Sequence, residues 1–183
     1  MRKINVTEFV SVDGVMESPH EWSGQYFSEE VGKFKNDELF ASDAILLGRV
    51  TYEGFAAAWP SRTDDDGFAD RINSLPKHVV STTLEAPEWN NSRVITSDIA
   101  GELRKLKDEP GQDILLYGSA RLVNSLIPLG LIDEYQIMIF PVVLGSGKRL
   151  FDDKLDKTAL KHVKTTTFDS GVVVLTYQQD QTV

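Results

Sequence analysis

The hydrophobic pattern contains two short apolar runs that each end in glycine and lead into apolar residues at helical spacing. The first run covers residues 44–47 and ends at Gly48, and helical spacing begins at about Thr51. The second lies in a strand predicted at residues 113–117 and ends at Gly118. Such runs are typical of strands buried on both faces of a parallel sheet. The chain therefore contains two strand–glycine–helix units.

The remaining pattern adds further strand–helix units and a hairpin near the carboxyl end. Alternating or apolar stretches predict strands at residues 3–12, 78–82, 93–95, 133–144, 161–168 and 172–177. Helical spacing predicts helices at residues 28–41, 51–59, 67–75, 97–107 and 122–130. Together these predict an α/β fold with a mixed, mainly parallel sheet, helices on both faces and a C-terminal antiparallel hairpin.

Residues 15–27 are predicted to form an irregular loop that carries Met16, Trp22, Tyr26 and Phe27. Large apolar side chains in one loop fit a cover over a site. The alternative, which this pattern favours, is a loop that is merely pinned by its aromatic residues.

The length of the chain predicts one domain spanning residues 1–183. Its 41% hydrophobic residues are enough to form a core. The net charge of -9 argues against nucleic acid or an anionic membrane as a partner. Cysteine is absent and the three histidines are scattered, so we expect no disulfide and no metal site. The start of the chain lacks a signal-peptide pattern, and no apolar run reaches membrane-spanning length. We therefore expect a cytoplasmic protein.

Residues that could bind a ligand lie at the predicted carboxyl ends of three strands. Gly48 allows a ligand to approach the backbone, the next helix offers free N–H donors, and Arg49 adds a guanidinium suited to phosphate. Ser81 and Thr82 end another strand. Because ligands of open α/β sheets bind at the carboxyl ends of strands, the ends at Gly48 and Gly118 predict a site for the two phosphates of a dinucleotide. The alternative is an ordinary strand–helix corner whose hydroxyl groups cap local turns.

Other nucleotide and hydrolase motifs are missing. Residues 145–148, Gly-Ser-Gly-Lys, resemble part of a P-loop, but Val142 stands at the first glycine and Arg149 replaces the magnesium-binding Ser or Thr. The sequence contains neither G-x-G-x-x-G nor G-x-S-x-G. The three aspartates at residues 64–66 are more typical of a solvated acidic loop than of a cation site.

Several segments, in this order, resemble the dihydrofolate reductases. Gly48-Arg49-x-Thr51-Tyr52-Glu53 is similar to their Gly-Arg-x-Thr-aromatic-Glu segment, and Ser81-Thr82-Thr83 to their adenosine-side segment. Tyr117-Gly118-Ser119-Ala120-x-Leu122 is similar to their second glycine segment, with serine where a second glycine is usual. Residues 11–14 and 140–147 resemble one branch, the C-terminal reductase domain of the bifunctional riboflavin-biosynthesis deaminase-reductase and its stand-alone bacterial relatives.

The resemblance covers about residues 3–177 and implies a dihydrofolate reductase-like fold, NADPH as cofactor and a homodimer. It also implies an NADPH-dependent reductase of a pteridine- or aminopyrimidine-like small molecule, including 5-amino-6-(5-phosphoribosylamino)uracil reductase-type activity. The alternative is a non-catalytic small-molecule-binding dimeric scaffold of the same fold. Carried over residue by residue, the cofactor contacts fall on Gly48, Arg49, Thr51, Ser81, Thr82, Gly118, Ser119, Ala120 and Leu122.

Two carboxylates are candidate catalytic residues on the substrate side. Glu30 matches in register the helix carboxylate that binds the pterin in dihydrofolate reductases, where it would accept two hydrogen bonds from an aminopyrimidine. Its alternative role is to favour the first turn of its helix through the helix dipole. Asp13, in the Ser-x-Asp-Gly segment, is the rival, and its alternative is an ordinary Asp-Gly turn. The proton needed for reduction has three candidate sources: water, Asp13 and Glu30.

Overall fold

Eight strands form one sheet in the computed structural model, which describes residues 1–180. In chain order the strands are β1 (Ile4–Ser11), β2 (Ser42–Gly48), β3 (Lys77–Val80), β4 (Ser92–Ile95), β5 (Asp113–Leu116), β6 (Glu134–Phe140), β7 (Leu160–Thr167) and β8 (Val173–Gln179). Their order across the sheet is β4-β3-β2-β5-β1-β6-β8-β7. The first six strands pair in parallel, whereas β8 pairs antiparallel with both β6 and β7. This confirms the mixed, mainly parallel sheet with a C-terminal hairpin.

Six α-helices flank the sheet within the described residues. They are α1 (Pro19–Trp22), α2 (Glu29–Phe40), α3 (Arg49–Ala58), α4 (Phe68–Ser74), α5 (Ile99–Asp108) and α6 (Ala120–Leu126). Two 3₁₀ turns lie at Gly24–Tyr26 and Ile127–Leu129. Across residues 1–180, every helix is too short or too polar to cross a membrane.

The central strands β2 and β5 are buried on both faces, as their apolar runs predict. Leu46 packs on one face with apolar residues of α5 and α6. Ile45 and Leu47 pack on the other face with residues of α2, α3 and α4. A third apolar cluster joins Val31 of α2 to strands β6 and β8. The core is therefore two layers divided by the sheet, and α2 extends across two clusters of one layer.

Several elements begin or end at positions that differ from the predicted ones, and for two of them the cause is local. β6 ends at Phe140 rather than at Leu144, because Pro141 has no N–H group to continue a strand ladder. α3 begins at Arg49, two residues before its predicted start, because Gly48 in extended conformation is already its N-cap. Both differences arise from local backbone chemistry rather than from the apolar pattern.

The stretch at residues 15–27 contains α1 and a 3₁₀ turn where the sequence predicts an irregular loop. Its Trp22 and Tyr26 rings lie 5.5 and 6.2 Å from the Phe140 ring, centroid to centroid. The Tyr26 hydroxyl also donates to the Pro141 carbonyl oxygen at 3.3 Å. These contacts favour the simpler alternative, in which the aromatic side chains pin this segment to β6.

Replacing Leu46 with alanine should strongly destabilise the fold, because its fully buried side chain fills the centre of one core layer. We expect Leu46→Ala to lower the free energy of unfolding by about 2–5 kcal/mol in urea titrations. Val50→Ala is the control, since Val50 is 65% exposed and surface changes cost within about 0.5 kcal/mol. Equal losses in the two variants would contradict the two-layer core.

Candidate active site

Three neighbouring strands end at one edge of the sheet, where the sequence predicts the dinucleotide site. β3, β2 and β5 lie side by side and in parallel. The Gly48 N–H donates to the Gly118 carbonyl oxygen at 3.1 Å, so the ends of β2 and β5 are in direct contact. Val80, the last residue of β3, lies in register with Gly48.

Glycine at the two strand ends is required by the packing of one end against the other. A Cβ atom at position 48 would lie 2.6 Å from the Ser119 Oγ, closer than real Cβ atoms approach. A Cβ atom at position 118 would lie 2.8 Å from the Thr51 Oγ1, and Gly118 has a φ of +51°. Both glycines therefore let the strand ends and their following helices approach each other.

Two helices start at this contact without a side-chain cap. Gly48 is the N-cap of α3 and Ser119 is the N-cap of α6, and neither side chain accepts a hydrogen bond from its helix. The first amides of a helix lack intrahelical partners. Since the positive ends of the helix dipoles also meet here, the arrangement suits an anion.

One arginine stands at the start of each of these two helices. The Arg49 guanidinium is 44% exposed and donates to both carboxylate oxygens of Glu53, at 2.8 and 3.0 Å. Arg121, in the first turn of α6, is exposed and makes no ion pair with any of residues 1–180. The resemblance did not single out Arg121, although its place after a glycine segment parallels that of Arg49.

The other residues predicted to bind the cofactor differ in whether their side chains are accessible to a ligand. The Ser81 Oγ accepts hydrogen bonds from the amides of Thr83 and Leu84, at 3.1 and 3.0 Å. The Ser81 hydroxyl group therefore caps a local turn, which is the alternative role that the sequence left open. Thr82 is exposed beside it. The Leu122 side chain is 4% exposed and packs in the core, so it is not available to a ligand. Ala120 and Ser119 are half-buried.

Asp13 is held by three hydrogen bonds. Its carboxylate accepts from the Ser11 Oγ at 2.7 Å and from the amides of Leu144 and Gly145 at 3.0 and 2.8 Å. These bonds lower the pKa of Asp13 to about 2. Asp13 therefore ties two loops together as an anion, and at neutral pH it holds no proton to donate.

Glu30 is exposed in the first turn of α2. Its Oε2 accepts a hydrogen bond from the Asp169 amide at 3.0 Å, in the turn between β7 and β8. This contact places Glu30 beside the hairpin, whereas the two glycine ends lie at β2 and β5. The structure therefore does not bring Glu30 into contact with the edge of the sheet at Gly48 and Gly118, which is called the glycine edge below.

Glu8 is a buried carboxyl group at the glycine edge that the sequence patterns did not indicate. It is 5% exposed, and its Oε1 accepts a hydrogen bond from the Gly118 amide at 2.7 Å. Burial raises the pKa of Glu8 to about 8, although the Gly118 hydrogen bond and the charge of Lys35 lower it. One signal was available: Glu8 is a charged residue within a strand whose neighbours are mostly apolar.

Three polar side chains form a buried cluster between α2 and the sheet, on the face opposite to that of Glu8. Lys35 of α2 is ion-paired with Glu38, and its Nζ lies 4.5 Å from the centre of the Tyr117 ring. The Tyr117 hydroxyl donates to the Glu38 Oε1 at 3.2 Å. The Glu38 Oε2 is buried without a hydrogen-bond partner among residues 1–180. Lys35, Glu38 and Tyr117 are called the polar cluster below.

The described part of the chain has no group of three His, Cys, Asp or Glu residues placed to hold a metal ion.

The parallel sheet, the antiparallel hairpin and the two helix starts at adjoining strand ends define an α/β protein of the dihydrofolate reductase-like fold. The chain belongs to the RibD C-terminal domain family, whose model matches residues 2–174. The family is that of the reductase domain that the resemblance indicated.

Individual relatives agree with this placement. The chain is similar to the uncharacterized protein YyaP of Bacillus subtilis (strain 168), with 41% identity over 144 residues that cover 77% of this chain and 76% of that protein. Its fold is similar to a putative riboflavin biosynthesis protein from Shewanella sp. PV-4, with a TM-score of 0.76, 20% identity and coverage of 98% and 99% of the two chains. It is also similar to dihydrofolate reductase from Enterococcus faecalis complexed with NADP(H) and RAB-propyl, with a TM-score of 0.67, 15% identity and coverage of 98% and 97%.

Adding a side chain at Gly118 should destabilise the protein by disturbing the contact at the glycine edge. Gly118→Ala places a Cβ atom against Thr51 in a left-handed backbone conformation, and we expect a loss of at least about 1–2 kcal/mol in unfolding free energy. Gly54→Ala is the control, because Gly54 lies within α3 with no atom within 4 Å of the added carbon. The control should gain about 0.5–1 kcal/mol. A neutral Gly118→Ala variant would contradict the close packing of the strand ends.

The raised pKa of Glu8 should make stability depend on pH. Between its ordinary value of 4.5 and about 8, Glu8 is protonated in the fold and ionised in the unfolded chain. The unfolded chain then binds fewer protons, so this group lowers the free energy of unfolding as pH rises. Glu8→Gln removes the effect, and the variant should gain stability relative to the wild type between about pH 5 and about pH 8 in urea titrations. Parallel pH curves would contradict the raised pKa.

Proposed function

We propose that this protein is an NADPH-dependent reductase that transfers a hydride to a pteridine- or aminopyrimidine-like substrate. Membership in the RibD C-terminal domain family supports a reductase. A protein with the same fold, the Enterococcus faecalis dihydrofolate reductase, was solved with NADP(H). The observation that carries the proposal is the contact between Gly48 and Gly118, which sets two uncapped helix starts side by side.

The residues at the glycine edge fit the phosphates of a dinucleotide. The amides that follow Gly48 and Ser119 would donate to the pyrophosphate, because neither helix start has a side-chain acceptor of its own. Arg49 would exchange its exposed partner Glu53 for a phosphate. Arg121 would add a second guanidinium, and a guanidinium near the 2′-phosphate favours NADP over NAD. When bound, NADPH supplies a hydride to an electrophilic substrate carbon and is oxidised to NADP⁺.

The substrate side would lie toward β6 and the hairpin. Glu30 is exposed there, and only one of its two carboxylate oxygens is occupied, by the Asp169 amide. The other oxygen would accept an N–H group of an aminated ring. Asp13 would act by holding the loop at residues 144–145 rather than by donating a proton.

The proposed substrate class includes the ribosylaminopyrimidine of riboflavin biosynthesis, because a protein with the same fold, from Shewanella sp. PV-4, is described as a putative riboflavin biosynthesis protein. The chain contains no cysteine and so lacks the ligands of a zinc deaminase. The step that these 183 residues would serve in that pathway is the reduction.

The role of Arg49 in cofactor binding can be measured directly. Charge-assisted hydrogen bonds contribute about 1.5–3 kcal/mol each, so we expect Arg49→Ala to weaken NADPH binding by about 10-fold to 100-fold in fluorescence titrations. Arg93→Ala is the matched control: Arg93 is also an exposed arginine paired with a glutamate, Glu102, but it lies on β4. It should bind NADPH like the wild type.

Two outcomes would contradict the proposed function, each in a different way. The absence of thermal stabilisation of the wild type at millimolar NADPH and NADH would overturn the reductase function. Binding of NADPH without its oxidation by any pteridine or ribosylaminopyrimidine would favour the non-catalytic binding scaffold.

A further inference from the structure

We propose that Lys35 and Glu38 select the substrate by one edge of its ring. They bind a neutral ring in which a hydrogen-bond acceptor lies next to an N–H group, and they exclude a protonated aminopyrimidine. The inference rests on the proposed reductase function. It assigns the buried edge of the ring to a pair further along α2 than the exposed Glu30.

The register of β1 and β5 places this pair next to the glycine edge. Val6 of β1 lies opposite the last residue of β5, so the positions that follow are Thr7 and Tyr117. The Lys35 Nζ contacts both: it donates to the Thr7 Oγ1 at 3.3 Å and lies 4.5 Å from the centre of the Tyr117 ring. Tyr117 directly precedes Gly118. The pair therefore contacts the residue next to the glycine segment that is proposed to hold the cofactor.

Aromatic rings lead from the surface to this pair. Phe27 is 47% exposed, and its ring centre lies 6.3 Å from that of Phe9. The centre of the Phe9 ring lies 5.2 Å from the Lys35 Nζ. The Tyr117 ring, which Lys35 also contacts, lies 5.8 Å from the Phe55 ring of α3, centre to centre. These rings offer faces on which a planar heterocycle can stack, and the row begins at a side chain that solvent reaches.

Lys35 and Glu38 each keep hydrogen-bonding capacity after they pair. An ammonium group has three N–H donors, and Lys35 uses two of them, on the Glu38 Oε1 and on Thr7. The Glu38 Oε1 also accepts from Tyr117, whereas its Oε2 has no partner among residues 1–180. Because the Glu38 side chain is only 7% exposed, this oxygen is largely shielded from water. A buried carboxylate oxygen without a donor is destabilising, and a bound N–H group would satisfy it.

The pair therefore presents one donor and one acceptor to a ligand. The complementary edge has an acceptor next to an N–H group, as in the C=O and N–H groups of a cyclic amide. A protonated aminopyrimidine offers only N–H donors along its charged edge, and one of them would face the Lys35 ammonium. Its charge would also be repelled by Lys35, which already neutralises Glu38. Repulsion of this kind gives specificity against a cationic ring.

The preference can be measured on the wild type with two small rings. The probes are 6-aminouracil, a neutral cyclic amide, and 2,4-diaminopyrimidine, which a carboxylate binds in its protonated form. Each is titrated by calorimetry into protein saturated with NADP⁺, so that no hydride is available. We expect 6-aminouracil to bind at least about 10-fold more tightly, since it makes charge-assisted hydrogen bonds that the cation loses. Equal affinities, a preference for 2,4-diaminopyrimidine or binding of neither probe would overturn the inference.

Lys35→Met should reverse the preference. It leaves Glu38 as a lone carboxylate, which complements a protonated aminopyrimidine and attracts its charge. We expect 2,4-diaminopyrimidine to bind at least about 10-fold more tightly than 6-aminouracil in this variant. If Lys35 were only structural, both probes would weaken together and the ratio of their affinities would not change, which would overturn the inference.

Lys33→Met is the matched control. Lys33 is also paired with an acidic residue of α2, Asp37, but its side chain is 73% exposed. This variant should keep the wild-type preference between the two probes.

A second variant covers the case in which Lys35→Met does not fold because it leaves a buried charge unpaired. Lys35→Met combined with Glu38→Gln removes both charges, and replacement of a whole buried ion pair is often neutral for stability. This double variant should bind the two probes with similar affinities. Retention of the wild-type preference would overturn the role of the pair.

The carboxamide of the nicotinamide ring offers the same edge, a C=O group beside an N–H group, so the affinity for NADP⁺ is measured as well. We expect the wild type and the double variant to bind NADP⁺ equally. A double variant that loses affinity for NADP⁺ but binds 6-aminouracil like the wild type would overturn the assignment to the substrate. Failure of the wild type to bind NADP⁺ would instead overturn the reductase function on which the inference rests.

Discussion

The direct contact between the ends of β2 and β5 is the constraint on which the site depends. The Gly48 amide donates to the Gly118 carbonyl oxygen at 3.1 Å, and a side chain at either glycine would collide with Ser119 or Thr51. Because α3 and α6 begin immediately after these ends, the contact also brings two helix starts together. An anion bound there would receive donors from both helices and from their first-turn arginines.

The polar cluster lies between α2 and the sheet. α2 packs into one apolar cluster through Val31 and into another through Leu39, and its charged residues Lys35 and Glu38 face the sheet between them. Burying charges is costly unless they are paired and hydrogen-bonded. Lys35 and Glu38 pair with each other, while Glu8 is buried as a neutral acid behind Gly118. Perturbed carboxyl groups of this kind are concentrated at functional sites.

Local chemistry explains where sequence-based prediction succeeded and where it was imprecise. The apolar runs of β2 and β5 are buried on both faces, as predicted, because a central parallel strand has no polar face. The end of β6 was misplaced by four residues, since the apolar pattern continues through Pro141 although the hydrogen-bond ladder does not. Sequence patterns also placed Ser81 at the predicted edge, but its hydroxyl group is occupied by a local turn.

The sequence by itself determined the fold class, the two strand–glycine–helix units and their likeness to a reductase family, because each is encoded in residues close along the chain. The tertiary structure alone decided which groups lie beside the buried carboxylates. Glu8 meets Gly118 across 110 positions, and Glu38 meets Tyr117 across 79. No periodicity or short motif records such distances, and the shifted pKa of Glu8 comes from burial that results only when the sheet and its helices pack together.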